Sequence, residues 1–160
     1  MNADAHVHHE PGQSLNQLAL SATVHCLTGC AIGEVLGMAI GTALGWSNGA
    51  TIVASIVLAF FFGYALTSLP LLRAGLSPRR VAPLAFASDT LSITTMEIVD
   101  TLIILAIPGA LDAGLTDPLF WGSLAVALGL AGVAAYPVNK RLIARGKGHA
   151  AMHGHQERAF

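Results

Sequence analysis

The chain has 160 residues, of which 54% are hydrophobic and 11% charged, with a formal net charge of −1. Soluble domains carry roughly 25% charged residues, so this composition excludes an ordinary soluble protein and indicates an integral membrane one. So weak a charge gives no reason to expect a nucleic-acid partner. A spanning helix needs about 20 apolar residues. Four such stretches, roughly 17–45, 50–72, 83–108 and 118–139, use most of the chain. The expected fold is all-α: one four-helix transmembrane domain over 17–139, between a disordered His-bearing tail (1–16) and a basic, His-bearing tail (140–160). No room remains for a soluble catalytic domain, and no Ser–His or Cys–His pair comes with a substrate pocket. An enzyme is therefore not expected.

Residues 1–16 contain His6, His8 and His9 but no Lys or Arg, so they lack the basic region of a secretory leader and read as a retained tail. The first span follows and holds two rows of period four. Gly29, Gly33, Gly37, Gly41 and Gly45 form a glycine row that lets another backbone approach. Cys26, Cys30, Glu34 and Met38 form a second row, rotated by about one residue. Each row drifts by about 40° per step, because four residues exceed one 3.6-residue turn. The chemical stripe therefore borders the packing groove, which suggests that it lines a contact between helices. Cys26 and Cys30 read as free thiols, because bridging them within one helix would strain the disulfide.

Trp46 suits an outer boundary, and Ser47-Asn48-Gly49 reads as a tight turn. The second span has no ionisable residue except Tyr64, presents Phe60-Phe61-Phe62 as a lipid-facing run, and reads as scaffold. Pro70 and the Gly75-Leu76-Ser77-Pro78 segment are expected to end it, with Ser77 as N-cap and Pro78 as first residue of the next helix. The third span is polar on one side. Asp89, Met96 and Asp100 share a face, Glu97 lies on the adjoining strip, and Ser88, Thr90, Ser92, Thr94, Thr95 and Thr101 surround them. Pro108-Gly109 closes it, and Thr116 is the expected N-cap before Pro118. The fourth span packs through Gly122, Ser123, Gly129 and Gly132, and Pro137 is expected to kink or end it.

Lys and Arg occur only after the second and fourth spans, at Arg73, Arg79, Arg80, Lys140, Arg141, Arg145, Lys147 and Arg158. The positive-inside rule then places both termini in the cytoplasm. Arg79, Arg80, Lys140 and Arg141 suit anionic lipid headgroups.

In this topology the first and third spans run the same way, so depth can be compared by counting. Cys26 falls level with about Asp89, Cys30 with Ile93, and Glu34 with Glu97. Four of the nine acidic residues, Glu34, Asp89, Glu97 and Asp100, thus sit within apolar runs. Each costs at least about 2.5–3.5 kcal/mol there unless paired or wetted. Should spans one and three touch, Glu34, Glu97 and Asp100 converge, and they cannot all ionise without a cation among them. Thiol, imidazole and thioether suit Cu(I) or Zn(II). The expected metal ligands are therefore His25, Cys26, Cys30, Glu34, Met38, Asp89, Met96, Glu97 and Asp100. Plainer readings stay open: cysteine as a small hydrophobe, protonated acids bonded to hydroxyls, and glycines that serve packing alone.

The run His25-Cys26-Leu27-Thr28-Gly29-Cys30-Ala31-Ile32-Gly33-Glu34 is joined by Pro137-Val138-Asn139 and Arg145-Gly146-Lys147-Gly148-His149. Together they resemble a family of small polytopic bacterial membrane proteins known only as a domain of unknown function, over about residues 15–150. The resemblance implies a helical membrane fold but brings no activity or ligand. The leading expectation is transport or intramembrane binding of Cu(I) or Zn(II) in the bacterial inner membrane, by a homo-oligomer packed through the glycine groove. The alternatives are a proton or alkali-cation channel using Glu34, Glu97 and Asp100, and a redox or cofactor-holding subunit or sensor.

Overall fold

A computed structural model describes residues 14–145, which form four long helices and no strand among those residues. The expected all-α architecture is thus observed. Residues 1–13 and 146–160, which hold the histidines of both expected tails and the end of the second signature, lie outside the described residues, whereas 15–16 and 140–144 of those tails belong to helices.

Helix α1 (Leu15–Leu44) starts at a capping box, in which Ser14 accepts from the Gln17 N–H at 3.3 Å and Gln17 Oε1 accepts from the Ser14 N–H at 2.9 Å. It stops where Gly45 takes the left-handed conformation (φ 66°) and its N–H reaches the carbonyls of Gly41 and Thr42. Helix α2 (Asn48–Arg73) follows at once, capped by Ser47, so Ser47-Asn48-Gly49 is a helix start and not a free turn. Helix α3 (Pro78–Ala106) has Ser77 at its N-cap and Pro78 in its first turn, as expected. A short 3₁₀ turn (Ala110–Asp112) leads to α4 (Pro118–Ala144). Asp117, rather than Thr116, caps α4, accepting from the Leu119 N–H at 2.8 Å.

Two expected proline boundaries, at Pro70 and Pro137, are corrected, and a third proline also lies within a helix. Pro70, Pro83 and Pro137 all lie inside helices, which continue to Arg73, begin at Pro78 and run to Ala144 respectively. Each proline lies in the first or last two turns or so of its helix, where neighbouring segments leave the helical ladder less to lose.

At 1.5 Å per residue each of the four helices is about 39–45 Å long, beyond the ~30 Å hydrocarbon core. Helices α1, α2 and α4 are long and apolar enough to cross a membrane. Helix α3, of 29 residues, is more polar, but its polarity is on one side. Phe86, Leu91, Ile98, Leu102 and Leu105 point outward, while Asp89, Ser92, Glu97 and Asp100 are buried. The outward rows of the other helices are likewise apolar, as at Val24, Val57, Phe61 and Val133. This inside-out pattern belongs to a domain whose surroundings are lipid.

Helices α1 and α2 pack back to back along the glycine row. A Cβ added at Gly29 would lie 2.8 Å from Gly63 Cα, and one at Gly33 would fall on the Ala59 backbone. At Gly37 it would meet Ser55, and at Gly41 it would meet Thr51. Position numbers rise on one helix as they fall on the other, so the pair is antiparallel. The opposing row, Thr51, Ser55, Ala59, Gly63 and Thr67, is itself small and spaced by four, and all five are buried. This corrects the expected use of the groove: it is filled by α2 of the same chain and is not available for pairing copies. Gly45 stands outside the row as the helix cap.

Helix α2 meets α3 where the Ile93 side chain fills the space over Gly63 and the Tyr64 and Thr90 hydroxyls bond at 2.8 Å. Helix α4 meets α1 where Leu27 covers Gly132 and the Asn139 amide donates to the Thr23 hydroxyl at 2.9 Å. These contacts describe an up-down-up-down bundle in which α1 and α3 are diagonal and parallel. A Cβ added at Gly122 or Gly129 would meet nothing within 4 Å, so these two are not on the packing face of α4; that face includes Ser123, Ala127, Ala131 and Ala135. Of the three consecutive phenylalanines, Phe61 alone is exposed, and Phe60 packs against the core around Ile93 and Met96.

Gly33→Ala forces its methyl into backbone that cannot swing aside, and such overpacking costs typically ~1–3 kcal/mol. Thermal unfolding in detergent should register that loss, while Gly49→Ala, which points into open space, should unfold like the parent. Equal stability of the two variants would contradict the α1–α2 contact.

Candidate functional site: an acid and thiol seam on the bundle axis

The glycine row commits one face of α1 to α2. The stripe beside it, Cys26, Cys30 and Glu34, is consequently turned to the bundle axis, where each residue is buried. From the opposite corner α3 presents Asp89, Ser92, Ile93, Met96, Glu97 and Asp100, all buried as well. The two polar strips face each other; Cys26 lies by Asp89 as the depth count expected, whereas Cys30 and Glu34 each meet α3 about a turn further on than expected.

The seam has three levels. At the first, Asp89 is fully buried, accepts from the Ser88 hydroxyl at 2.8 Å, and interacts with Thr67 of α2 and His25 of α1. Cys26 lies beside Ser92 and Asp89. At the second, the Cys30 thiol donates to the Met96 thioether at 4.0 Å and lies against Glu97. Cys30 is therefore level with Met96 and Glu97, about a turn beyond the expected Ile93. At the third, Glu34 faces Asp100, with Glu97 next to both. Asp100 is the polar group nearest Glu34, yet neither Glu34 oxygen has a hydrogen-bond partner of good geometry, although both are buried. One oxygen each of Glu97 and Asp100 is in the same condition.

A cavity of about 60 Å³ opens onto this third level, lined by Glu34, Glu97 and Asp100 together with Met38, Ser55, Thr101 and Ser123. A water molecule needs at least ~10–15 Å³ of such space, so the cavity accommodates one or a few waters or a small cation. An unneutralised carboxylate buried in apolar surroundings carries a cost of several kcal/mol. Three of them around one small space require protons, water or a cation.

All nine residues expected to bind metal are thus accounted for. His25, Cys26 and Asp89 lie at the first level; Cys30, Met96 and Glu97 at the second; Glu34 and Asp100 at the third, with Glu97 close enough to line the same cavity. Met38 lines the cavity while packing against the cluster of Ala113, Phe120 and Leu124. Among the described residues, no group of three or more His, Cys, Asp or Glu side chains is arranged so as to hold a metal ion. Both cysteines are free thiols, as expected.

Thr67 and Ser55 reach the seam from α2, the helix that reads as scaffold, and Ser123 reaches it from α4. The signal for the α2 residues is present in the sequence. Thr51, Ser55, Ala59, Gly63 and Thr67 repeat every fourth residue, the spacing of the glycine row they oppose.

Fold and site together define a helical membrane protein with an acidic, thiol-bearing core. The chain belongs to the family described as a domain of unknown function, DUF4396, which matches residues 15–148. No curated protein and no solved structure matches it.

Cys26 and Cys30 are 2% and 1% exposed, so a maleimide should modify less than about a tenth of either thiol in the folded protein and both fully after denaturation. Intact-mass measurement checks this. Rapid modification of the native protein would contradict the seam.

Proposed function

We propose that this protein binds and moves a cation within the membrane, with Glu34, Glu97 and Asp100 as the central station. The carrying observation is the buried Glu34 carboxyl group, which has no well-formed hydrogen bond and faces another acid, Asp100, at a cavity that Glu97 also lines. A cation or proton entering that space neutralises charge the surrounding helices leave uncompensated, and the hydroxyls of Ser55, Thr101 and Ser123 supply further oxygen ligands. Hard oxygen donors suit protons, alkali cations or hydrated divalent cations.

A second reading is favoured by the 4.0 Å approach of Cys30 sulfur to Met96 sulfur. A soft cation, Cu(I) or Zn(II), is the transition metal such a pair would attract. It would pass from Cys26 and Cys30 to the carboxylates, releasing protons as it binds.

Either reading is proposed for the bacterial inner membrane, on the support of the distribution of Lys and Arg. The Arg79, Arg80, Lys140 and Arg141 end is set in the cytoplasm against anionic headgroups, with both termini inside. The four helices of one chain surround the seam, so this reading calls for no second copy.

Flux of protons, K⁺ and Zn²⁺ into proteoliposomes tests the proposal. Glu34→Gln, Glu97→Gln and Asp100→Asn should each lower the rate of the transported ion at least 10-fold while the protein stays folded. Undiminished flux in all three would remove the carboxylates from the mechanism. Metal analysis of the purified protein separates the two readings, because Cys30→Ser should abolish bound metal under the soft-cation reading alone.

A further inference from the structure

The cavity at the acids has a larger neighbour. A space of about 260 Å³ lies at the end of the bundle where α1 gives way to α2, with Thr42, Trp46, Asn48 and Thr51 in its wall. Met38, Ile52 and Leu111 line both spaces. One comes from each of α1, α2 and the 3₁₀ turn, so three separate segments meet where the two spaces adjoin. The Asn48 amide donates to Asp112 at 3.2 Å, which ties the 3₁₀ turn holding Leu111 to the start of α2. At the other side of the acids the seam is solid: Cys26, Cys30, Ile93 and Met96 are at most 2% exposed. Further on, Ala19, Ala22 and Ile143 close together near the Thr23–Asn139 hydrogen bond.

We propose that small cations reach Glu34, Glu97 and Asp100 from the Trp46 end only, through an apolar neck formed by Met38, Ile52 and Leu111, which selects what enters by size. The outer space, with its amide, hydroxyls and indole, holds the hydrated cation. Passage through the neck strips water, and the carboxylates replace it. This inference rests on the cation reading of the acids and adds to it a side of entry and the residues that control entry.

The test uses Ag⁺, a thiol-seeking monovalent cation, on Ser123→Cys in sealed membrane vesicles of known orientation, in chloride-free nitrate buffer. Ag⁺ replaces the thiol proton, which leaves to water, and the silver thiolate then resists alkylation after denaturation; mass spectrometry reads position 123 separately from Cys26 and Cys30. Protection should develop at least 10-fold faster with Ag⁺ on the Trp46 side than on the Arg145 side. Leu111→Trp should slow it at least 10-fold, and Leu111→Ala should hasten it. Ile52→Phe offers the same occlusion from α2 should Leu111→Trp fail to fold. Equal rates from both sides, faster reaction from the Arg145 side, no reaction at all, or rates indifferent to Leu111 and Ile52 would each overturn the neck. The readout needs no transport. Flux is read on the parent chain with Ser123 in place: one-sided labelling without parental flux sinks the transport reading alone, and two-sided labelling with parental flux present sinks the neck alone.

Discussion

The close approach of α1 and α2 is the contact from which the rest of the bundle follows. Four glycines of α1 meet Gly63, Ala59, Ser55 and Thr51 with no room for a methyl group between them. In a lipid environment helices gain little from hiding apolar surface from each other, so close packing of small residues carries the association. Because the glycine face is used in this way, the adjacent face of α1 has one direction left to point. Cys26, Cys30 and Glu34 lie on that face. A change in the glycine row would therefore act on the acids without touching them.

Helix α3 completes the arrangement by the reverse logic. Its outward side is Phe86, Leu91, Ile98, Leu102 and Leu105, which lipid accepts, and its inward side carries three acids that lipid does not. The bundle is thus dry and apolar outside and polar along its axis. Such a core is weakly stabilising at best, since each buried acid must be compensated. Glu34, Glu97 and Asp100 lie beside a cavity, where a proton, water or cation would supply that compensation.

Much of this was legible in the chain. The four long helices, the inward strip of α3, the free thiols, and Ser77 with Pro78 at the start of α3 all follow from periodicity and composition; the depth count was about a turn off, since Glu34 meets Asp100 and Cys30 meets Met96 and Glu97. Boundaries were less legible. Pro70 and Pro137 read as breaks because an isolated helix loses a hydrogen bond there, whereas near the ends of packed helices the loss is tolerated. Gly122 and Gly129 read as packing residues, yet a glycine facing lipid looks the same in a sequence as one facing a helix. Thr67 and Ser55 belong to a small-residue row that the sequence does carry, but a row of that kind says only that a helix packs there, not that its hydroxyls reach the acids.

The sequence by itself determined that the protein is a helical membrane bundle and that its acids and thiols lie at shared depths, because spacing along a helix converts directly into height and direction. The tertiary structure decided which helix fills the glycine groove. It thereby decided that α1 and α3 meet across the diagonal and that a cavity lies at Glu34. A row of small residues states that something comes close without stating what. Only the fit of one surface against all the others selects the partner, and the leftover space between them appears only after that choice is made.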